Sequence, residues 1–293
     1  MNPLPTPGVC TVAEWPALLA ALDETFVTER GRSGSLARRF PDALGQPPLA
    51  DLRVVREAGV IVSCCAARRF EWQSPESLWR GAMVGMVWTR PEARGRGHAA
   101  QVLDFTLQAL DADGVDFVVL WSSLPRYYER LGWQRHDRGV LGISAGTAAA
   151  ATPAEAPPAP TTLERLRAAH EPLRVLRTSG AWQSVPLPAT RTRLLADETG
   201  GAGYALLGEH EDTRYVYEVV GETACFAALW AKITAGAGRV YVNESLGSPF
   251  HRWLVTHTAT QFSAQALAHW WPLSHRARTG PWRGWHIPWF DRI

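Results

Sequence analysis

Residues 81–99 read GAMVGMVWTRPEARGRGHA, and the order of their parts decides the fold. The opening apolar run has the composition of a buried strand. A proline and an acidic residue, Pro91 and Glu92, follow it, and then a turn in which Gly95 and Gly97 alternate with Arg94 and Arg96. Beyond the turn, Ala99, Val102, Leu103, Thr106, Leu107 and Leu110 recur at steps of three and four, the stripe of an amphipathic helix. A glycine turn between a strand and a helix leaves backbone N–H groups free beside the positive end of a helix dipole, which suits a diphosphate. Taken alone, the fragment equally fits a basic surface patch or an ordinary turn.

The surroundings extend the pattern. Upstream, VAEWPALLAALDETF (12–26) reads as a helix, GRSGS (31–35) as a loop, and LADLRVVREAGVIVSCCAARRFEW (49–72) as a hairpin turning at Glu57-Ala58-Gly59. Downstream, DADG stops the helix and VDFVVLW (115–121) has the unbroken apolar character of a strand covered on both faces. SSLPRYYERLGW (122–133) reads as a second helix closed by Gly132, with WQRHDRGVLGI (133–143) as returning strands. Residues 144–162, SAGTAAAATPAEAPPAPTT, supply no periodic apolar face and read as a linker.

After the linker the same order recurs. TRLLADE, GYALLGE and RYVYEVV resemble strands, ETACFAALWAKI a helix, GRVYVNES a strand and FHRWLVTHTATQFSAQAL a helix over 250–267. The expectation is an α/β (α+β) chain of two tandem domains, 1–143 and 163–293. Each would be a mixed, mainly antiparallel sheet flanked by helices. The second is a degenerate copy, because no Gly-x-Gly turn stands between its third strand and its helix.

Arg94-Gly95-Arg96-Gly97-His98-Ala99 resembles the R/Q-x-x-G-x-G/A signature of the GCN5-related N-acetyltransferase superfamily, and YYERLGW is similar to that family's F-Y-x-x-x-G-F segment. The resemblance covers roughly residues 10–143, with the two motifs in the family's order. It implies acetyl coenzyme A as co-substrate, its diphosphate held by N–H groups from Arg94 and Gly95 through Arg96, Gly97, His98 and Ala99. Val87 and Thr89 would offer backbone groups to the pantetheine arm. Tyr128, four residues before Gly132, takes the family's general-acid position. Ser122 and Ser123 stand where the family often has a coenzyme-contacting Asn, so Ser123 is the candidate replacement. The two-copy layout is also similar to the enhanced intracellular survival type of tandem acetyltransferase, in which the chain's own terminal carboxylate enters the site. That similarity makes Ile293 a candidate, although the third domain of that type has no room in 293 residues.

A phenol of pKa about 10 can protonate a thiolate whose thiol has a pKa of about 8.5 with little penalty. The base is undecided in the sequence: Glu29, Glu71 and Glu76 lie in segments that could border an acceptor cleft, and each also reads as an exposed carboxylate. The expected reaction is direct transfer to a primary amine of a small molecule or peptide. The alternative is a non-catalytic acyl coenzyme A sensor or protein-interaction module.

A formal net charge of +2 disfavours a nucleic-acid partner. The chain shows neither a leader pattern nor an apolar run of spanning length, so no membrane and a cytoplasmic location are expected. The four cysteines form no C-x-x-C pair, and His251 and His257 are six apart, off the spacing that aligns two ligands on one helix face; no metal is expected. Eight of the fourteen tryptophans lie from Trp182 onward, which fits packing between domains or an acceptor-binding wall, and the second copy is expected to complete the acceptor cleft or a homo-oligomer interface.

Overall fold

The hairpin that opens the first sheet turns on Ala58 and Gly59, whose φ angles of 48° and 79° are the two positive values that a tight hairpin turn requires. The structure is a computed structural model that describes residues 5–45, 51–149, 159–177, 182, 191–196 and 203–293. Residues 150–158 of the Ala/Pro-rich stretch therefore lie outside the described residues, as do the last two residues of TRLLADE.

The chain starts with β1 (Thr6–Val9) and α1 (Trp15–Phe26), then two short helices, α2 (Leu36–Arg39) and α3 (Pro41–Leu44). Strands β2 (Leu52–Glu57), β3 (Val60–Gln73) and β4 (Leu78–Thr89) precede α4 (His98–Ala112). On α4 the expected stripe is the buried one, with Val102, Leu103, Thr106, Leu107 and Leu110 against the sheet. Then come β5 (Phe117–Trp121), α5 (Pro125–Arg130), β6 (Gln134–Arg135) and β7 (Gly139–Ala145).

The second half holds α6 (Pro160–His170), β8 (Arg174–Leu176), β9 (Arg191–Ala196), β10 (Gly203–His210) and β11 (Thr213–Gly221). After these come α7 (Phe226–Thr234), β12 (Arg239–Ser245), α8 (Pro249–His257), β13 (Gln261–Ala264), β14 (Ala268–Pro272) and α9 (His275–Arg278). The single helix expected over 250–267 is thus a helix of half that length followed by strand. Thr258 ends it: its hydroxyl bonds back to the Leu254 carbonyl at 2.7 Å and to Thr260 at 2.7 Å, drawing the backbone out of the helical path.

The sheets run β1-β2-β3-β4-β5-β14-β6, with β8 beside β3, and β13-β7-β12-β11-β10-β9. Each contains one parallel pair, β4 with β5 and β11 with β12. Matching those pairs shows an exchange of strands. β7, read from sequence as a returning strand of the first half, lies between β12 and β13 in the second sheet, while β14 from the second half lies between β5 and β6 in the first. The tryptophans of the C-terminal segment explain part of the exchange. Trp270, Trp282 and Trp285 pack with Trp72, Trp79, Met83 and Phe117 of the first sheet, Trp72 and Trp285 stacking at 5.0 Å.

Candidate active site

The parallel ladder between β4 and β5 ends at the pair Met83–Val119. Just beyond, the β3–β4 register shifts, so that Met86 and Val87 together face Cys65. This bulge bends β4 away from β5. It holds Met86 at a φ of 52°, a left-handed conformation that is unusual for a side chain of this kind. The gap opens into a cleft of about 730 Å³ lined by Val84–Val87 on one side, Leu120–Leu124 and Tyr128 on the other, and by residues of the α1–α2 segment and the C-terminal tail.

Strand β4 runs on through Thr89 towards the arginine–glycine turn. Gly95 and Gly97 have φ angles of 79° and 84°, and nothing lies within 4 Å of where a side chain would begin on either. The N–H groups of Gly95 through Ala99 take no acceptor among the described residues, and Gly97 caps α4 without a side-chain bond. The conspicuous side chains face the protein instead. Arg94 donates to the Thr89 carbonyl at 3.2 Å, and Arg96 to Glu57 at 3.2 Å and the Glu92 carbonyl at 2.9 Å. His98 is 3% exposed with Nε2 3.0 Å from a Glu57 oxygen, because the first turn of α4 packs onto the end of β2. Val87 lines the cleft; the Thr89 hydroxyl is engaged by Ser63 at 3.0 Å.

Tyr128 lies in the cleft wall, 6% exposed, and burial pushes its pKa up while the Ser122 hydroxyl works in the opposite direction. Ser123 also lines the cleft. The ring of His269, on β14, stands 5.5 Å from that of Tyr128; its Nδ1 is 2.8 Å from the Leu267 carbonyl, and burial pushes its pKa down. Sequence reading missed His269, since only the exchanged strand brings it to Tyr128. Ile293 lies against β4, with its main-chain oxygen and carbon 3.2 and 3.3 Å from where a side chain would begin on Gly85. Glu29, Glu71 and Glu76 are exposed and do not line the cleft.

All four cysteines are buried, and none forms a disulfide among the described residues. Among the described residues no group of His, Cys, Asp and Glu has the arrangement of a metal site, and no helix is long and apolar enough to cross a membrane.

Residues 9–135 match the family model described as an acetyltransferase (GNAT) domain. No curated protein matches the chain in sequence. Among solved structures, a GCN5-related N-acetyltransferase from Kribbella flavida superposes with a TM-score of 0.70 at 17% identity, over 92% of this chain and 72% of its own. Eis1 from Mycobacterium abscessus gives 0.61 at 13% identity, covering 92% and 74%. The N-myristoyltransferase of Saccharomyces cerevisiae with bound myristoyl-CoA gives 0.56 at 9%, covering 92% and 83%. With its bulged β4 and its glycine turn, the first half carries an acetyltransferase (GNAT) domain at residues 9–135, and the chain as a whole has a fold of two tandem GNAT-like domains, similar to the solved structures of the GCN5-related N-acetyltransferase and of Eis1.

Proposed function

We propose that the chain transfers an acetyl group from acetyl coenzyme A directly to a primary amine of a small molecule or peptide. The catalytic domain is 1–143, 144–162 links it to the degenerate 163–293, and the second half completes the acceptor side. The observation that carries this reading is the meeting in one cleft of the β4–β5 gap and Tyr128, on a strand that leads into a turn of unpartnered amides.

The residues divide the work as follows. The amides of Gly95–Ala99, at the positive end of α4, bind the diphosphate; the Arg94 N–H, expected to join them, is instead bonded to the Pro91 carbonyl at 3.3 Å. Main-chain groups of Val87 and Thr89 hold the pantetheine arm, and Ser123 supplies a hydroxyl to it. The bulge at Met86–Val87 aims backbone at the acyl carbonyl, where positioned donors act most strongly on a developing oxyanion. Tyr128 gives its proton to the departing thiolate. Burial keeps the phenol protonated across the neutral range, and the thiolate forming in the same dry pocket is raised in basicity by the same cause, so the match between donor and acceptor is kept. The described side chains that line the cleft include no carboxylate, and we assign the amine proton to the main-chain carboxyl group of Ile293, which lies against β4.

Free-thiol release over a panel of amines tests the reading. Tyr128→Phe is expected to lower turnover by about 10²- to 10⁴-fold with acetyl coenzyme A affinity unchanged; unchanged turnover removes its assigned role. Coenzyme binding without thiol release on any amine would favour the sensor alternative.

A further inference from the structure

The α1–α2 side of the cleft is lined by guanidinium groups, from Arg30, Arg32 and Arg39. Arg30 lies 5.1 Å from the Phe26 ring centroid. Arg39 is the informative one. It is 9% exposed, one Nη donates to the Ser33 carbonyl at 3.0 Å, and the other is buried with no hydrogen-bond partner among the described residues. Burial and the neighbouring Arg32 both push its pKa down. Asp23 is the acid that acts on it, but at no ion-pair distance, and one Asp23 oxygen is engaged by the Leu36 N–H at 2.7 Å. A buried cationic nitrogen without a partner, next to a second cation, is costly in the free protein. A bound anion relieves both the missing hydrogen bond and the repulsion.

We infer that the acceptor amine carries an anionic group, a carboxylate or a phosphate, which docks between Arg32 and Arg39. The inference rests on the amine-acylation reading of this cleft and adds the class of acceptor. A guanidinium presents paired N–H donors that match the oxygens of either anion, and bonds between ionised partners are the strong ones. The arginines sit on the α1–α2 segment and line the cleft, whose lining does not include the turn at 95–99, so they are not needed for the coenzyme diphosphate. With its anion there, a short acceptor extends its amine towards the β4–β5 gap. The aromatic rings of Phe26, Phe40 and Tyr215 form the apolar walls between.

The test is thiol release from acetyl coenzyme A with matched amines, β-alanine against propylamine and phosphoethanolamine against ethanolamine. The acid-bearing member of at least one pair is expected to have a kcat/KM at least about tenfold higher, and the pair that shows it identifies the anion. Arg39→Gln and Arg32→Gln should each reduce that ratio by about tenfold, mainly through KM. Arg32 is exposed, so its variant keeps the test open if the Arg39 variant does not fold. Equal or better use of the neutral amines, or a ratio that neither folded variant changes, overturns the inference. If no amine releases thiol, calorimetry of β-alanine and phosphoethanolamine with the coenzyme A-saturated protein decides separately. Binding weakened by Arg32→Gln sustains the anion site while the transfer reading fails, and no binding of either overturns the anion site.

Discussion

The two copies of the fold differ most at the place where they are most alike, the gap past the parallel pair. Counted from the last parallel pairs, Met83–Val119 and Val216–Val242, Gly85 and Glu218 are counterparts, as are Leu120-Trp121-Ser122 and Asn243-Glu244-Ser245. The first gap stays open as a cleft. The second is filled. Arg177 makes paired bonds to Asp291, at 2.7 and 2.9 Å, and to Glu218, and Tyr204 donates to Glu218 at 2.6 Å. Arg167, fully buried, adds the second positive charge against the two carboxylates. The C-terminal tail lies across this filled gap, where Phe290 packs with Tyr204 and Tyr217, and it ends at Gly85 of the open one. One copy has therefore become a fixed support, and the other keeps the space for a ligand.

The largest expected effect comes from breaking the support. Arg177→Met leaves Glu218 and Asp291 buried with one cation between them and should cost about 3–5 kcal/mol of stability in urea denaturation, because an uncompensated buried charge remains. An unchanged midpoint would mean that the cluster does not hold the tail. Next, Gly97→Val acts on the open copy. It forces a β-branched residue to a φ of 84° and moves the amides of the turn, so acetyl coenzyme A affinity should fall by about a hundredfold in calorimetry while the melting temperature changes little. Retained affinity would sink the diphosphate assignment.

The smallest effect distinguishes the copies by pH. Burial pushes the Glu244 carboxyl up to about 7 in the folded protein from 4.5, against the bond it accepts from Ser248. Between those values the folded chain holds a proton that the unfolded chain has lost. Stability should therefore fall as pH rises from about 4.5 to about 7 and level off above, by at most about 3 kcal/mol. Glu244→Gln should flatten that slope. Trp121, its counterpart in the open copy, cannot titrate, so a slope that survives the substitution has another origin.

Much of the open copy was readable before folding, because its signals are local. The stripe on α4, the tight turn at Ala58-Gly59 and the glycines at 95 and 97 each depend on the periodicity or backbone freedom of a few neighbouring residues. The end of α8 was not, since Thr258 decides it with a single back-bonded hydroxyl inside an otherwise helical pattern. Nor was the inward side chain of His98, whose burial depends on the end of β2 beneath it.

By itself the sequence determined the run of three strands, helix, strand and helix in each half, the strand–turn–helix unit at 81–112 and the position of Tyr128 after β5. Only the tertiary structure decided that β14 and β7 change places, which sets His269 beside Tyr128 and Ile293 beside Gly85. The reason is physical: a strand's pattern states which faces are apolar, but both sheets offer an edge beside a parallel pair that fits it equally. Which edge it joins depends on contacts between residues more than a hundred positions apart, such as Trp72 with Trp285, that no local pattern encodes.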